Sequence, residues 1–229
     1  MLRIAVVLTC VLAATAAAPD RAPVLVELFT SEGCSSCPPA DRLLALLDSQ
    51  VIVLGEHVDY WDHQGWRDPW SSHASTQRQE TYARRFALDG PYTPQMVVDG
   101  SVEFNGSDNR RAADEISHAR TRQKASMRLA RHGNSVEVAI DAVPHAANVM
   151  LAIALPAGES QVSAGENNGR RLHHVAMVKS LRKIGVVKKG SAFRQTIELG
   201  SDAVGARVIL FVQDGDAGPV YGAAISEAL

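Results

Sequence analysis

Apolar and polar positions follow two different patterns along this chain. In the first half, continuous apolar runs such as Val24–Phe29 and Val51–Val58 are separated by a helical stripe of leucines at Ala40–Leu47. Continuous apolar runs are typical of strands buried on both faces, and parallel strands need a helical crossover between them. The pattern therefore predicts an α/β domain over residues 23–124, with a hairpin that turns at Asp99-Gly100.

The second half shows shorter segments that are apolar throughout or alternate between apolar and polar residues. Turn signals separate them, and they include Val136–Ile140, Val149–Leu155, Arg207–Val212 and Val220–Ile225. Several short strands without a long helical period are typical of a β-sandwich. The sequence thus predicts a mostly-β, β-sandwich-like domain over residues 127–229. The polar cluster 164–174 is interpreted as a hairpin turn that enters a strand with exposed basic residues, and the alternative is that one of His173 and His174 faces a site.

The N-terminal residues have the pattern of an export signal. A positive start at Met1–Arg3, an apolar run at Ile4–Ala14 and an A-x-A site at Ala14–Ala16 predict a secretory signal peptide over residues 1–18. The apolar run of about 11 residues is too short to cross a hydrocarbon core of about 30 Å. We therefore expect no membrane span in the mature chain, and a periplasmic or secreted location, which is oxidising.

Composition narrows the function classes. The chain has 23 basic and 25 acidic side chains and a net charge of -2 at pH 7. This balance gives no general attraction for nucleic acid, which we do not expect as a partner. Three cysteines are too few for a disulfide scaffold. Because Cys10 lies in the predicted signal peptide, the mature chain would keep only Cys34 and Cys37.

The motif Cys34-Ser35-Ser36-Cys37 follows a predicted strand and precedes a predicted helix. In that context a C-x-x-C spacing indicates redox chemistry, because a helix N-terminus stabilises the thiolate that attacks disulfides. In this hypothesis Cys34, the more exposed cysteine, attacks a protein or small thiol/disulfide substrate, and Cys37 resolves the mixed disulfide. No cofactor is expected. A fixed structural disulfide and a copper or zinc site remain as alternatives.

The order strand, C-x-x-C, helix, strand, helix and Thr93-Pro94 before a hairpin resembles the thioredoxin-like superfamily. The resemblance implies an α/β thioredoxin-like domain over residues 23–124. It also implies a cis bond before Pro94, near the cysteine pair, with Thr93 and Pro94 shaping a substrate cleft. More narrowly, the segments FTSEGCSSCPPAD and HVDYWD resemble a family of bacterial secreted proteins of unknown function. Gly33 and Ser35-Ser36 depart from the thioredoxin pattern, which leaves the redox potential and the substrate open.

A segment rich in tryptophan, aspartate and histidine follows the second predicted strand, from His57 to Trp70. Because side chains alternate along a strand, His57 and Asp59 are predicted to point to one face at its carboxyl end. There they are candidates for moving protons to and from the cysteines. For this segment the alternatives are a metal site that includes Asp62 or His63, and a packed loop. For the whole protein the alternative is a metal-binding or partner-binding protein without turnover.

Overall fold

Eleven strands and three α-helices form the part of the chain that this computed structural model describes, residues 23–226. The predicted signal peptide, residues 1–18, lies outside the described residues. No helix within 23–226 is long and apolar enough to cross a membrane. In chain order the elements are β1 (Leu25–Thr30), α1 (Pro38–Leu47), β2 (Ile52–His57), α2 (His73–Arg85), β3 (Gln95–Val98), β4 (Val102–Asn105), α3 (Asn109–Arg120), β5 (Met127–His132), β6 (Ser135–Ile140), β7 (Ala147–Gln161), β8 (Arg171–Val187), β9 (Phe193–Glu198), β10 (Arg207–Gln213) and β11 (Val220–Ser226).

One large sheet takes strands from both halves of the chain. Its order is β11-β10-β7-β8-β2-β1-β3-β4, and β5-β6-β9 form a second sheet of three strands. β1 and β2 pair in parallel on either side of the crossover helix α1, as the sequence predicts. β3 and β4 form the predicted hairpin, in which Asp99 and Gly100 both have positive φ, 47° and 57°.

The fold class predicted from the sequence, an α/β thioredoxin-like domain followed by a separate β-sandwich, is wrong. The chain is mostly β, and one mixed sheet of eight strands runs through both regions. The cause is the strand pair β7 and β8, which are 15 and 17 residues long. β8 pairs with β7 along most of its length and also with β2, in parallel, at Met177 and Gly55. The bounds 23–124 and 127–229 stay predictions.

Gly55 permits the junction between β2 and β8. A Cβ atom at residue 55 would lie 2.8 Å from the carbonyl oxygen of Val175. Real Cβ atoms do not approach this closely, so a larger residue would force the two strands apart. A single glycine therefore fixes how closely the strands of the two regions meet.

Hydrophobic clusters fill both faces of the large sheet. Alternate residues of β7 belong to different clusters: Leu151 and Ile153 pack in the cluster shared with β6, whereas Ala152 and Ala154 pack in the one shared with α1. This division follows from the two-residue period of a strand. Leu44 of α1 packs in the same cluster as Ala152 and Ala154, so the helix that follows the cysteine pair is held against the sheet.

A buried ionic network also links the first half of the chain to the second half. Arg78 of α2 donates from Nε to Glu27 of β1 at 2.6 Å and from Nη2 to Gln213 of β10 at 3.0 Å. Tyr82 donates to the other oxygen of Glu27 at 2.6 Å. Burial raises the pKa of the neighbouring Glu56 well above its usual value, although Arg78 opposes this. Because these groups are buried, removing one partner would leave another unsatisfied.

Candidate functional site

The cysteine pair closes a disulfide between β1 and α1. The Cα atoms of Cys34 and Cys37 are 5.4 Å apart. Cys37 is the N-cap residue of α1, and its carbonyl oxygen accepts a hydrogen bond from the amide of Ala40 at 2.8 Å. Pro38 and Pro39 occupy the first helical positions, where N–H groups have no partner within the helix. The lack of an N–H group in proline therefore costs no hydrogen bond there. Cys34 therefore lies in the loop before the helix.

Neither cysteine is freely accessible. Cys34 exposes 2% of its surface and Cys37 0%. Ser35 and Ser36 between them are exposed, and the Oγ atom of Ser36 lies 3.4 Å from the Sγ atom of Cys34. Cys34 was predicted to be the more exposed cysteine, and the observed difference in exposure is small. Both cysteines are therefore covered by their neighbours in this structure.

The β7–β8 loop, residues 162–170, lies against the cysteine segment. The side-chain amide of Asn167 donates to the carbonyl oxygens of Glu32 at 2.8 Å and Cys34 at 2.9 Å. The carboxylate of Glu166 accepts from the amide of Ser35 at 3.1 Å. Asn167 is buried between exposed neighbours. Sequence reasoning assigned no chemistry to this loop, and its only signal was the density of polar residues.

Thr93 and Pro94 connect to the cysteine segment through Trp61. The Thr93–Pro94 bond is cis, as the resemblance implies. The indole Nε1 of Trp61 donates to the hydroxyl oxygen of Thr93 at 2.9 Å. A Cβ atom at Gly33 would lie only 2.8 Å from the Cβ atom of Trp61. The glycine before Cys34 therefore makes room for a tryptophan from the segment after β2.

His57 lies at the end of β2, and its partner is Asp68. The Nδ1 atom of His57 is 2.7 Å from the Oδ2 atom of Asp68, and both side chains are buried. The same carboxylate oxygen accepts from the amide of Glu32 at 2.9 Å, within the loop that leads to the cysteines. Burial acts to raise the pKa of Asp68, but the charge and hydrogen bond of His57 lower it overall. The sequence named Asp68 only as part of a tryptophan-rich segment.

Asp59 has different neighbours. β2 ends at His57, so the strand alternation that would place both residues on one face stops there. The carboxylate of Asp59 accepts from the hydroxyl of Thr76 at 2.5 Å and lies 3.1 Å from the Nδ1 atom of His73. Partial burial acts to raise its pKa, but these hydrogen bonds lower it. Asp59 thus binds the first turns of α2.

A second histidine lies buried beside His57. The rings of His57 and His174 are 4.6 Å apart and meet edge to face. The Nε2 atom of His174 is 3.1 Å from a carboxylate oxygen of Glu32, and its Nδ1 atom is 3.7 Å from one of Asp41. Burial acts to lower the pKa of His174, but Asp41 and Glu32 raise it to about 10. His174 therefore carries a proton at neutral pH, whereas His173 is exposed.

The alternative metal site is not assembled in the described part of the chain. Within residues 23–226, no group of three or more histidine, cysteine, aspartate or glutamate side chains is arranged to hold a metal ion. Asp62 accepts from the hydroxyl of Ser71 at 2.7 Å, and the Nδ1 atom of His63 lies 2.8 Å from the carbonyl oxygen of Tyr60. These two candidate ligands are engaged in local loop contacts.

A family model described as "Protein of unknown function (DUF1223)" matches residues 25–213. The chain belongs to this family. The match confirms the predicted membership of a family of unknown function. No curated protein matches this DUF1223 chain in sequence.

Two solved structures resemble this DUF1223 chain. One is the X-ray crystal structure of a structural-genomics target protein from Agrobacterium tumefaciens, with 27% identity and a TM-score of 0.82, covering 93% of this chain and 97% of that one. The other is HBP35 of Porphyromonas gingivalis, with 15% identity and a TM-score of 0.55, covering 91% of this chain and 76% of that one. The second likeness concerns the fold alone.

Proposed function

We propose that the Cys34–Cys37 pair performs thiol–disulfide exchange with a protein or small thiol/disulfide substrate. The observation that carries the proposal is the disulfide itself, closed across two residues at the start of α1. Cys37 caps α1, and the positive end of a helix dipole stabilises a nearby thiolate. As a structural staple the bond would contribute little, because the loop-entropy relation extrapolates to about 2 kcal/mol for a four-residue ring.

The exchange proceeds in two balanced steps. A substrate thiolate attacks the Sγ atom of Cys34, which breaks the Cys34–Cys37 bond, forms a mixed disulfide and releases Cys37 as a thiolate. A second substrate thiolate then attacks the substrate sulfur of the mixed disulfide and releases Cys34. Two electrons pass from the substrate thiols to the pair. In the reverse direction the thiolate of Cys34 attacks a substrate disulfide, and Cys37 resolves the mixed disulfide.

The neighbouring residues have supporting roles in this proposal. His57 and Asp68 act as a proton-holding pair behind the cysteine loop, supported by their 2.7 Å contact. Thr93 and Pro94 shape the substrate cleft, supported by the bond from Trp61 to Thr93. Asp59 takes part only indirectly, by positioning the start of α2.

Access to Cys34 requires a local opening. Because Cys34 is 2% exposed, we include a movement of the β7–β8 loop in the proposal. Glu166 is exposed and holds the amide of Ser35 through a single hydrogen bond. Asn167 donates two further hydrogen bonds from this loop to the cysteine segment. Substrate binding would replace these contacts and open the disulfide to attack.

The direct test compares the wild type with Cys34→Ser in insulin reduction and in the refolding of scrambled ribonuclease. The wild type should accelerate both reactions, and Cys34→Ser should lower both to the uncatalysed rate. Ser191→Ala, an exposed substitution in the β8–β9 connection, serves as the control and should leave the rates unchanged. Rates that Cys34→Ser does not alter would contradict the proposal.

A second candidate function is a partner-binding protein that performs no turnover. The burial of both cysteines favours it, since a fixed disulfide needs no access. It predicts that mild reduction of the folded protein yields no thiol that reacts with a labelling reagent. Labelling of Cys34 under those conditions would exclude this candidate.

We also propose that residues 1–18 direct export to the periplasm or the medium. The charged start, the apolar run and the A-x-A site support this. Cell fractionation followed by N-terminal sequencing tests it. Recovery of an uncleaved chain in the cytoplasm would contradict it.

A further inference from the structure

A groove adjoins the cysteine pair, between α1 and the start of β8. Its volume is about 390 Å³. Residues from the two elements line it, among them Pro38, Arg42, Ala45, Leu46, Arg171 and Leu172. Because Pro38 directly follows Cys37, the lining of the groove begins one residue after the disulfide.

The middle of the groove is apolar. Leu172 is buried at its base, whereas Leu46 is 69% exposed at its edge. Among the described residues only three large apolar side chains are exposed, and Leu46 is one of them, together with Val186 and Val204. Covering the exposed leucine with an apolar side chain removes both from water, which is favourable.

One arginine on the groove has no partner among the described residues. Asp41 also lines the groove, but it is buried, with a carboxylate oxygen 3.7 Å from the Nδ1 atom of His174. Arg171 lies on one side and is already engaged, since its Nε atom donates to Glu159 at 2.9 Å. Arg42 lies on the helix side and makes no hydrogen bond or ion pair with any residue from 23 to 226. An arginine without an acidic partner, next to an apolar groove, complements a carboxylate that stands beside an apolar side chain.

We infer that this groove binds an extended segment of a protein substrate, with an apolar side chain against Leu46 and an acidic residue on Arg42. The inference rests on the proposed function, because the groove derives its role from its position beside the cysteine pair. The proposed substrates are therefore protein segments that carry both an acidic and an apolar residue beside a cysteine. Small thiols such as glutathione would react without using the groove.

The binding test uses the full chain and a short fluorescein-labelled peptide. The peptide carries a leucine, two glutamates and a serine in place of its cysteine, so that binding is measured without exchange. By fluorescence anisotropy, Leu46→Ser and Arg42→Gln should each weaken binding about tenfold. Replacing the two glutamates with lysines should weaken it similarly, and added salt should reduce the contribution of Arg42.

Matched controls lie outside the groove. Val204→Ser removes an apolar side chain that is 75% exposed, and Arg84→Gln removes an exposed guanidinium from α2. Both variants should bind the peptide as the wild type does. Failure of the wild type to bind, or equal affinity in the wild type and both groove variants, would overturn the inference.

Exchange with glutathione separates this inference from the proposed function. Leu46→Ser should raise the KM for the cysteine-containing form of the peptide and leave the rate with glutathione disulfide unchanged. If the wild type reacts with glutathione but binds no peptide, the groove inference fails and the proposed function stands. If it binds the peptide through Leu46 and Arg42 but exchanges with neither substrate, the binding site stands and the redox function fails.

Discussion

His174 shows how neighbouring charges set the protonation state of a buried residue. Asp41 and Glu32 raise its pKa to about 10, from an ordinary value of 6.5, against the opposing effect of burial. Because the pKa in the folded chain lies above that in the unfolded chain, the protonated imidazole stabilises the fold. This contribution is complete below about pH 6.5 and is lost as the pH rises towards 10.

We expect His174→Gln to lower the free energy of unfolding by about 3 kcal/mol near neutral pH, because it leaves Glu32 and Asp41 without a cation. The difference from the wild type should shrink as the pH rises towards 10. Urea unfolding followed by circular dichroism measures both effects. His173→Gln, at the exposed neighbouring residue, is the control and should unfold as the wild type does. A difference that does not vary with pH would contradict a charged His174.

At the residue scale, the sequence locates the cysteine pair but not the contacts among its buried neighbours. Cys34 and Cys37 are identified by a local motif between a strand and a helix, which requires no knowledge of the fold. The contact between Glu32 and His174 joins residues 142 positions apart, and no local pattern specifies it. Asp59 was paired with His57 by extending strand alternation past the end of β2, where the backbone turns.

At the element scale, the β7–β8 loop and the start of β8 bring part of the site from the second half of the chain. The sequence of the loop reads as an exposed turn, and most of its residues are exposed. Asn167 turns inward, to the carbonyl groups of Glu32 and Cys34. Loop composition does not specify which asparagine is buried, because that depends on the packing of two distant segments.

Asn167→Ala should speed the reduction of the disulfide by dithiothreitol in the folded protein. The substitution removes two hydrogen bonds to the cysteine segment, each worth about 1 kcal/mol, so we expect up to about a thirtyfold increase in rate. Thiol labelling over time measures it. Asn168→Ala, at the exposed neighbouring residue, should react at the wild-type rate. Equal rates in the two variants would show that this loop does not control access.

The junction of β2 and β8 makes a separate prediction. Gly55→Ala places a Cβ atom against the carbonyl oxygen of Val175, and we expect it to lower the free energy of unfolding by about 1–3 kcal/mol. Urea unfolding measures the change. Gly90→Ala is the control, because a Cβ atom there would meet no atom within 4 Å. If Gly55→Ala leaves the free energy of unfolding unchanged, the close approach of β2 and β8 at this residue does not require a glycine.

For the whole molecule, hydrophobic periodicity predicts most elements but not how they join. The order β1, α1, β2 and the hairpin of β3 and β4 follow from local patterns, and the structure contains them. The joining of β8 to β2 does not follow, because a buried apolar strand pairs equally well at several sheet edges. A close approach at Gly55 and the network around Arg78 select one edge. The close approach of Gly55 to Val175 and the bond from Arg78 to Gln213 both join residues that are far apart in sequence.

The central claim is that the Cys34–Cys37 disulfide opens and closes in the folded protein. Equilibration in buffers with different ratios of reduced to oxidised glutathione, followed by trapping of free thiols, tests it most directly. We predict a reversible two-electron transition with near-ultraviolet circular dichroism unchanged, and the same transition from both directions. A disulfide that stays closed in every buffer until the chain unfolds would contradict the claim.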